Sequence, residues 1–174
     1  MRIHNGMRPQ DVVVLLKFIS TDEKASLQLS RLSQSLFISV SEISESLNRS
    51  KQANLLDYQK KNIMRQNLME FLVHGVKYVF PQRLGSMVRG MPTAHSHPFI
   101  EKYISSEIAY VWPDPQGDRI GLELVPFYEK QVKAAREDDK LYKLLALVDV
   151  IRVGKIREIN IAVAELKKVL LNES

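Results

Sequence analysis

The chain has 174 residues, 45% of them hydrophobic and 26% charged, with a net charge of +5 and no cysteine. That is room for one compact domain or two small ones and argues against wholesale disorder, while the lack of cysteine excludes disulfides, zinc ribbons and thiol catalysis and fits a reducing cytosol. The segment Met1–Gln10 carries Arg2, His4, Asn5 and Arg8 rather than an apolar signal core, and no run approaches the ~18 apolar residues of a membrane span, so a cytoplasmic protein with no membrane partner is expected.

Pro9 opens the first helical pattern, since a proline in the first turn gives up no needed N–H. Val12, Val13, Leu15, Leu16 and Ile19 follow at helical spacing, and Ser20-Thr21-Asp22 breaks the run. A second helix is predicted over Ser26–Leu36 and a third over Ser39–Gln52. Asn54–Lys60 is polar and reads as a turn or a short strand. A fourth helix is predicted over Asn62–Gly75, with Gly75 as its stop. Pro81–Pro98, with its prolines and glycines, reads as loop. Ile108–Trp112 and Ile120–Val125 read as two strands of a hairpin around the turn formers Pro113–Asp118. Beyond Pro126 the pattern is helical, with one apolar stripe of Leu141, Leu144, Leu145 and Val148 and another of Ile156, Ile159, Val163, Leu166 and Leu170.

The densest pattern lies between Leu29 and Gln52. Leu32 and Leu36 share one face of the second helix, Ile38 sits in the connection, and Ile43 and Leu47 share one face of the third, so the five can close a small core between two helices. Ser33 supplies a small residue at the close approach. Ser39 followed by Glu42 reads as a capping box that starts the third helix. On this reading Val40, Ile43 and Leu47 face inward, while Ser41, Glu42, Glu45, Asn48, Arg49 and Gln52 face away, as short or flexible polar side chains able to meet base edges and phosphates. Ser39 and the helix N-terminus add a phosphate contact. Arg31, Lys51, Lys60, Lys61 and Arg65 would supply sequence-independent affinity, Asp57 being the sole acid from Arg49 to Arg65.

The stretch Leu36-Phe37-Ile38-Ser39-Val40-Ser41-Glu42-Ile43-Ser44 resembles the turn and recognition-helix start of winged-helix bacterial transcriptional regulators. Phe37 stands where such turns commonly carry glycine, a position of left-handed backbone, and Glu45 stands where arginine is frequent. The blocks His74–Pro81, Arg89–His95, Val111–Pro113 and Leu147–Gly154 are similar to those of a bacterial family of helix-turn-helix or winged-helix proteins. The resemblance implies binding of double-stranded DNA, with no implied effector; some regulators of comparable layout are antitoxins paired with a nucleotidyltransferase toxin.

Three other groupings have a functional and a plain reading. His95-Ser96-His97 is either part of a metal site, a solvated loop or a contact to phosphate, and two histidines alone complete no coordination sphere. Lys77–His97 holds Lys77, Arg83 and Arg89 without an acid, which suits a second anion contact, a ligand site with His74, Arg89 and His95, or a packed loop. Arg152, Lys155 and Arg157 suit the end of a helix through its dipole, with Asp149 and Glu158 as ion-pair partners. No hydrolase triad, phosphate loop or dinucleotide fingerprint occurs, so no enzyme, no cofactor and no metal is expected.

The expectation is therefore an α+β, mostly helical protein: a winged helix-turn-helix module over residues 1–80, and a module with a β-hairpin and helices over 81–174 for dimerisation or sensing. The expected function is sequence-specific transcriptional regulation by a homodimer on a palindromic site. The alternative is a protein-interaction module or an antitoxin-like partner of a neighbouring gene product.

Overall fold

Pro9 in the first turn and Asp11 at the third helical position start α1 (Pro9–Ser20), where the Asp11 carboxylate accepts the Arg8 N–H at 2.8 Å. A computed structural model describes residues 6–21 and 28–172. The expected beginning of the second helix at Ser26, the Asp22 end of the first helix break, and Arg2, His4 and Asn5 lie outside the described residues. Over those residues the second helix, α2, runs Leu29–Leu36, and Ser39 caps the third, α3 (Val40–Gln52), by accepting the Glu42 N–H at 3.2 Å.

The segment expected as one helix ending at Gly75 starts later and runs further. It comprises α4 (Arg65–Glu70), a π-helical turn Phe71–Gly75 and α5 (Val76–Val79). Gly75 is not a stop, because its φ of −114° is not left-handed. What it supplies is space: a Cβ there would press on the Phe71 ring at 2.9 Å.

The region read as loop contains a strand, β1 (Met87–Thr93), and the two strands expected as a hairpin are not one. The later strands, β2 (Tyr110–Pro113) and β3 (Arg119–Glu123), run parallel to each other, and each is antiparallel to β1, so the three close into a small barrel. Parallel neighbours usually need a connection of about a dozen residues. Here residues 114–118 suffice because they cross over β1, with Asp114 N–H donating to the Arg89 carbonyl at 3.0 Å. The crossing needs two glycines. A Cβ on Gly117 would overlap the Gly90 backbone, and one on Gly90 would overlap the Trp112 carbonyl. The turn formers that suggested a hairpin thus serve a close backbone approach.

Among the described residues three helices follow: α6 (Gln131–Arg136), α7 (Asp139–Val153) and α8 (Ile156–Leu170). The α7 side chains are buried on all sides from Leu144 to Ile151, since α1, α5, α6, α8 and β1 surround the helix. The stripe of Leu141, Leu144, Leu145 and Val148 is intramolecular core rather than a dimer surface. On α8, Leu166 and Leu170 are buried but Ile156 is exposed. Apolar residues from both sides of position 80 share one continuous cluster, in which α1 packs directly on α7. No helix of the described residues is long and apolar enough to cross a membrane.

The barrel is pinned to α7 by a buried carboxylate. Asp149 accepts from Trp112 Nε1 at 2.7 Å, Thr93 Oγ1 at 2.8 Å and Arg152 at 3.1 Å. Arg152 in turn donates to the Phe80 carbonyl at 2.9 Å and lies over the Phe127 ring at 4.2 Å. Burial pushes the Asp149 carboxyl up and the Arg152 guanidinium down, each toward its neutral form, and their mutual attraction opposes both shifts. Arg152 therefore does more than meet a helix dipole: with Asp149 it fastens α7 to the sheet and to the end of α5. Asp149→Ala leaves the Arg152 charge uncompensated and is expected to cost about 3–5 kcal/mol in urea unfolding, whereas the double change Asp149→Leu with Arg152→Met should recover part of that loss.

Candidate functional site: the outer face of α3 and the reversal that follows it

The two helices α2 and α3 are joined by Phe37, Ile38 and Ser39. Phe37 takes the left-handed conformation, with φ 56° and ψ 36°, at the position where a glycine would be unstrained. Several contacts hold it there. The Phe37 N–H bonds the Ser33 carbonyl, Ile38 N–H reaches the same carbonyl at 3.2 Å, and the Ser33 hydroxyl donates to the Ile38 carbonyl. Tyr128 OH donates to the Leu36 carbonyl at 2.8 Å, and Lys133 of α6 sits 3.9 Å over the Phe37 ring. Leu32, Leu36, Ile38, Ile43 and Leu47 are all buried in the common core, so the spacing that suggested a clamp between the helices describes the packing.

The face of α3 turned to solvent differs from the expected one on one side. Ile43, Ser46, Leu47, Arg49 and Ser50 are buried, because α3 packs against α1 as well as α2. Arg49, expected to face outward, instead lies inward on Asp11. Its Nε and one terminal nitrogen each donate to a different Asp11 oxygen at 2.8 Å, and that nitrogen also reaches Glu42 Oε1 at 2.8 Å. Asp11 is fully buried, and its hydrogen bonds hold the Arg49 guanidinium more firmly charged than usual, with Glu42 adding to the effect. Glu42 is drawn to the same junction, where Gln10 Nε2 donates to it at 2.6 Å and Arg8 lies 3.4 Å away. The Ser39 half of the expected capping box forms, but the Glu42 half does not, since its carboxylate is turned to Arg49.

What remains outward is Val40, Ser41, Ser44, Glu45, Asn48, Lys51 and Gln52, a strip along one side of the helix. Ser41, Glu45 and Gln52 are exposed and Asn48 is half-buried. Sequence reasoning missed Ser44 and Val40, which is 47% exposed. Ser44 was recoverable, since it is three residues from Ser41 and four from Asn48. Val40 shares the helical spacing of Ile43 and Leu47, which predicts an inward side chain, but at the first position of α3 it lies outside the packed interface.

After α3 the chain doubles back through Leu55–Met64. Leu56 pairs with Ile63 in an antiparallel bridge, and Met64 N–H donates to the Leu55 carbonyl at 2.9 Å. Asp57 organises the tip: one oxygen accepts the Lys61 N–H at 2.8 Å and the Asn62 N–H at 3.2 Å, and the other accepts Asn62 Nδ2 at 2.7 Å. The Asn62 side-chain bond is the chief cause holding the Asp57 carboxyl below its ordinary range. With Asp57 so engaged, the tip presents Tyr58, which is 86% exposed, and the cations Lys60 and Lys61. Lys51 of α3 lies 4.9 Å over the Tyr58 ring, joining helix and tip. Arg31 is exposed on α2. Arg65 is turned elsewhere, donating to the Leu170 carbonyl at 3.0 Å at the end of α8.

The other groupings have structural places. His95 is buried, bonds the Ile108 carbonyl at 2.9 Å through Nε2 and packs on Tyr110; it lines a cavity with Glu101 and Arg119 in which neither His74 nor Arg89 takes part. His97 is buried too, so neither histidine lies in a solvated loop. Among the described residues, no cluster of three His, Asp or Glu side chains is placed to hold a metal ion. A comparison with protein-family models, with curated proteins and with solved structures returns no match.

Two outcomes are expected from these placements. Arg49→Ala leaves Asp11 buried and unpaired, so it should lower unfolding stability by about 3–5 kcal/mol, read by chemical denaturation, and Arg49→Lys should recover only part because it lacks the two-pronged geometry. His97 accepts the Phe99 N–H through Nδ1, and burial, helped by Lys143 and opposed by Glu101, pushes its pKa down to about 4. The unfolded chain then takes up the proton first, so the stability contributed by neutral His97 is complete above about pH 6.5 and is lost as pH falls to about 4, by about 3 kcal/mol in all. Chemical denaturation across that interval should show the decline, and His97→Leu should flatten it.

Proposed function

We propose that the chain is a sequence-specific regulator that binds double-stranded DNA through a winged helix-turn-helix, in which α2 and α3 are the helix pair and Leu55–Met64 is the wing. The observation that carries the reading is the α3 strip of short polar side chains, open to solvent, with Lys51 on its edge lying over Tyr58 of the tip that carries Lys60 and Lys61, and with Arg31 exposed on α2. A helix can enter the major groove only with a free side, and small hydroxyl, amide and carboxylate groups suit base edges. In this role Ser41, Ser44, Glu45, Asn48 and Gln52 meet bases, with Val40 offering an apolar contact to a thymine methyl. Ser39 and the start of α3 meet a phosphate. Arg31, Lys51, Lys60 and Lys61 take the backbone, and Glu42, Arg49 and Arg65 hold the scaffold.

A protein-partner reading, including a homodimer or an antitoxin-like complex, is favoured by a different observation. Met87 on β1 and Ile120 on β3 are 57% and 56% exposed, and the register Met87 to Leu122 and Arg89 to Ile120 puts them on one face of the barrel. The two readings are compatible, since one uses α3 and the other the barrel.

Selection of bound sequences from random duplex DNA tests the first reading, with an enriched motif as the expected result and no enrichment at low salt as the result against it. On the selected site, Lys60→Ala and Lys61→Ala should each weaken binding similarly for all sequences and reduce the slope of log affinity against log salt by about 0.9. Asn48→Ala should instead lower discrimination while leaving that slope unchanged.

A further inference from the structure

We infer that Glu45 makes the recognised half-site require cytosine at the base pair it faces, an inference that rests on the DNA-binding reading above. The two glutamates of α3 differ in their surroundings. Glu42 is occupied by Arg49, Gln10 and Arg8 at the α1 junction. Glu45 is exposed, and it has no ion pair or hydrogen bond among the described residues. Arg49, one helical turn further on, is the cation that would ordinarily neutralise it at this spacing, and Arg49 is bound to Asp11 instead. The strip therefore carries one uncompensated carboxylate beside Ser41 and Asn48.

A carboxylate at neutral pH only accepts hydrogen bonds. Facing a phosphate, guanine O6 and N7, or thymine O4, it meets another acceptor and is repelled. The donors on the major-groove floor are the amino groups of cytosine and adenine. Adenine places its N7 acceptor next to that amino group, against the second carboxylate oxygen, whereas cytosine places a C–H there. Cytosine is thus the base that one exposed carboxylate selects. The surrounding cations provide attraction to the backbone, and Glu45 subtracts from it everywhere except at the base that can donate.

Substitution at Glu45 keeps the fold, because the side chain is outside every packing contact described above, and equal unfolding midpoints for wild type and variants would verify this. Duplex selection is run in parallel on the wild-type protein, Glu45→Gln and Glu45→Ala. The expected result is a wild-type motif with a strongly preferred cytosine at one position. Glu45→Gln, whose amide matches the acceptor and donor of adenine, moves that position to adenine, and Glu45→Ala lowers discrimination there about tenfold or more while the rest of the motif persists. A motif that is enriched in all three proteins and identical at every position overturns the role of Glu45 and leaves the DNA-binding reading standing. Absence of any enriched motif in the wild-type protein overturns both.

Discussion

The two-pronged bond between Arg49 and Asp11 decides which side of α3 faces solvent. Periodicity alone leaves the helix free to turn by roughly 30–40° about its axis while still burying Ile43 and Leu47. The buried carboxylate of α1 removes that freedom, because Asp11 is without solvent and needs a cation, and Arg49 is the one placed to meet it. Once Arg49 is inside, Glu42 follows and Ser46 and Ser50 are covered. The solvent side of α3 is then the arc from Val40 through Asn48 to Glu45. A pair of this kind gives little net stability over an apolar contact, but its geometry is specific, and here the specificity is the rotational setting of a helix.

The same helix, α1, ties this setting to the rest of the molecule. At its far end Lys17 donates to Asp138 at 2.6 Å, and Ser20 reaches the same oxygen at 2.9 Å, while Asp138 also caps α7 by accepting the Leu141 N–H. The rigid length of α1 thus joins the start of α7 to the Arg49 junction. A second tie runs through the connection between α2 and α3, where Tyr128 and Lys133 from the C-terminal half hold Phe37 in a backbone conformation that costs a non-glycine residue of order 1 kcal/mol. The turn is braced by residues about ninety positions away in sequence, as the separation of Leu36 and Tyr128 shows. The N-terminal helices and the barrel half both pack around α7, and their apolar residues share one cluster across position 80.

Much of the helical organisation was legible in the chain. Pro9 as a helix start, Ser39 as a cap, and the clamp of Leu32, Leu36, Ile38, Ile43 and Leu47 depend on neighbours within a few turns, where the helical repeat makes one face predictable. The candidate site was legible in part. Ser41, Glu45, Asn48, Lys51, Lys60 and Lys61 lie at or near the surface as expected, whereas Arg49 and Arg65 are turned to Asp11 and to the end of α8. The sheet was the least legible. Gly90 and Pro92 read as loop formers although they lie in β1, because Gly90 answers to a segment that crosses it at Gly117 and Pro92 to its pairing with Val111, both distant in the chain.

By itself the sequence determined the local elements: where helices begin, which aliphatic residues share a face, and the polarity of the segment after Gln52. The partners of its buried charges and of its crossing glycines were settled only by the tertiary structure, since Asp11 with Arg49, Asp149 with Trp112 and Thr93, and Gly117 with Gly90 are each joined across long stretches of chain. The physical reason is that periodicity reports how much of a residue is apolar, whereas the fate of a charged or very small residue is set by what the remainder of the chain brings against it. A carboxylate sealed from water must find its cation wherever that lies, and a backbone crossing must find its glycines.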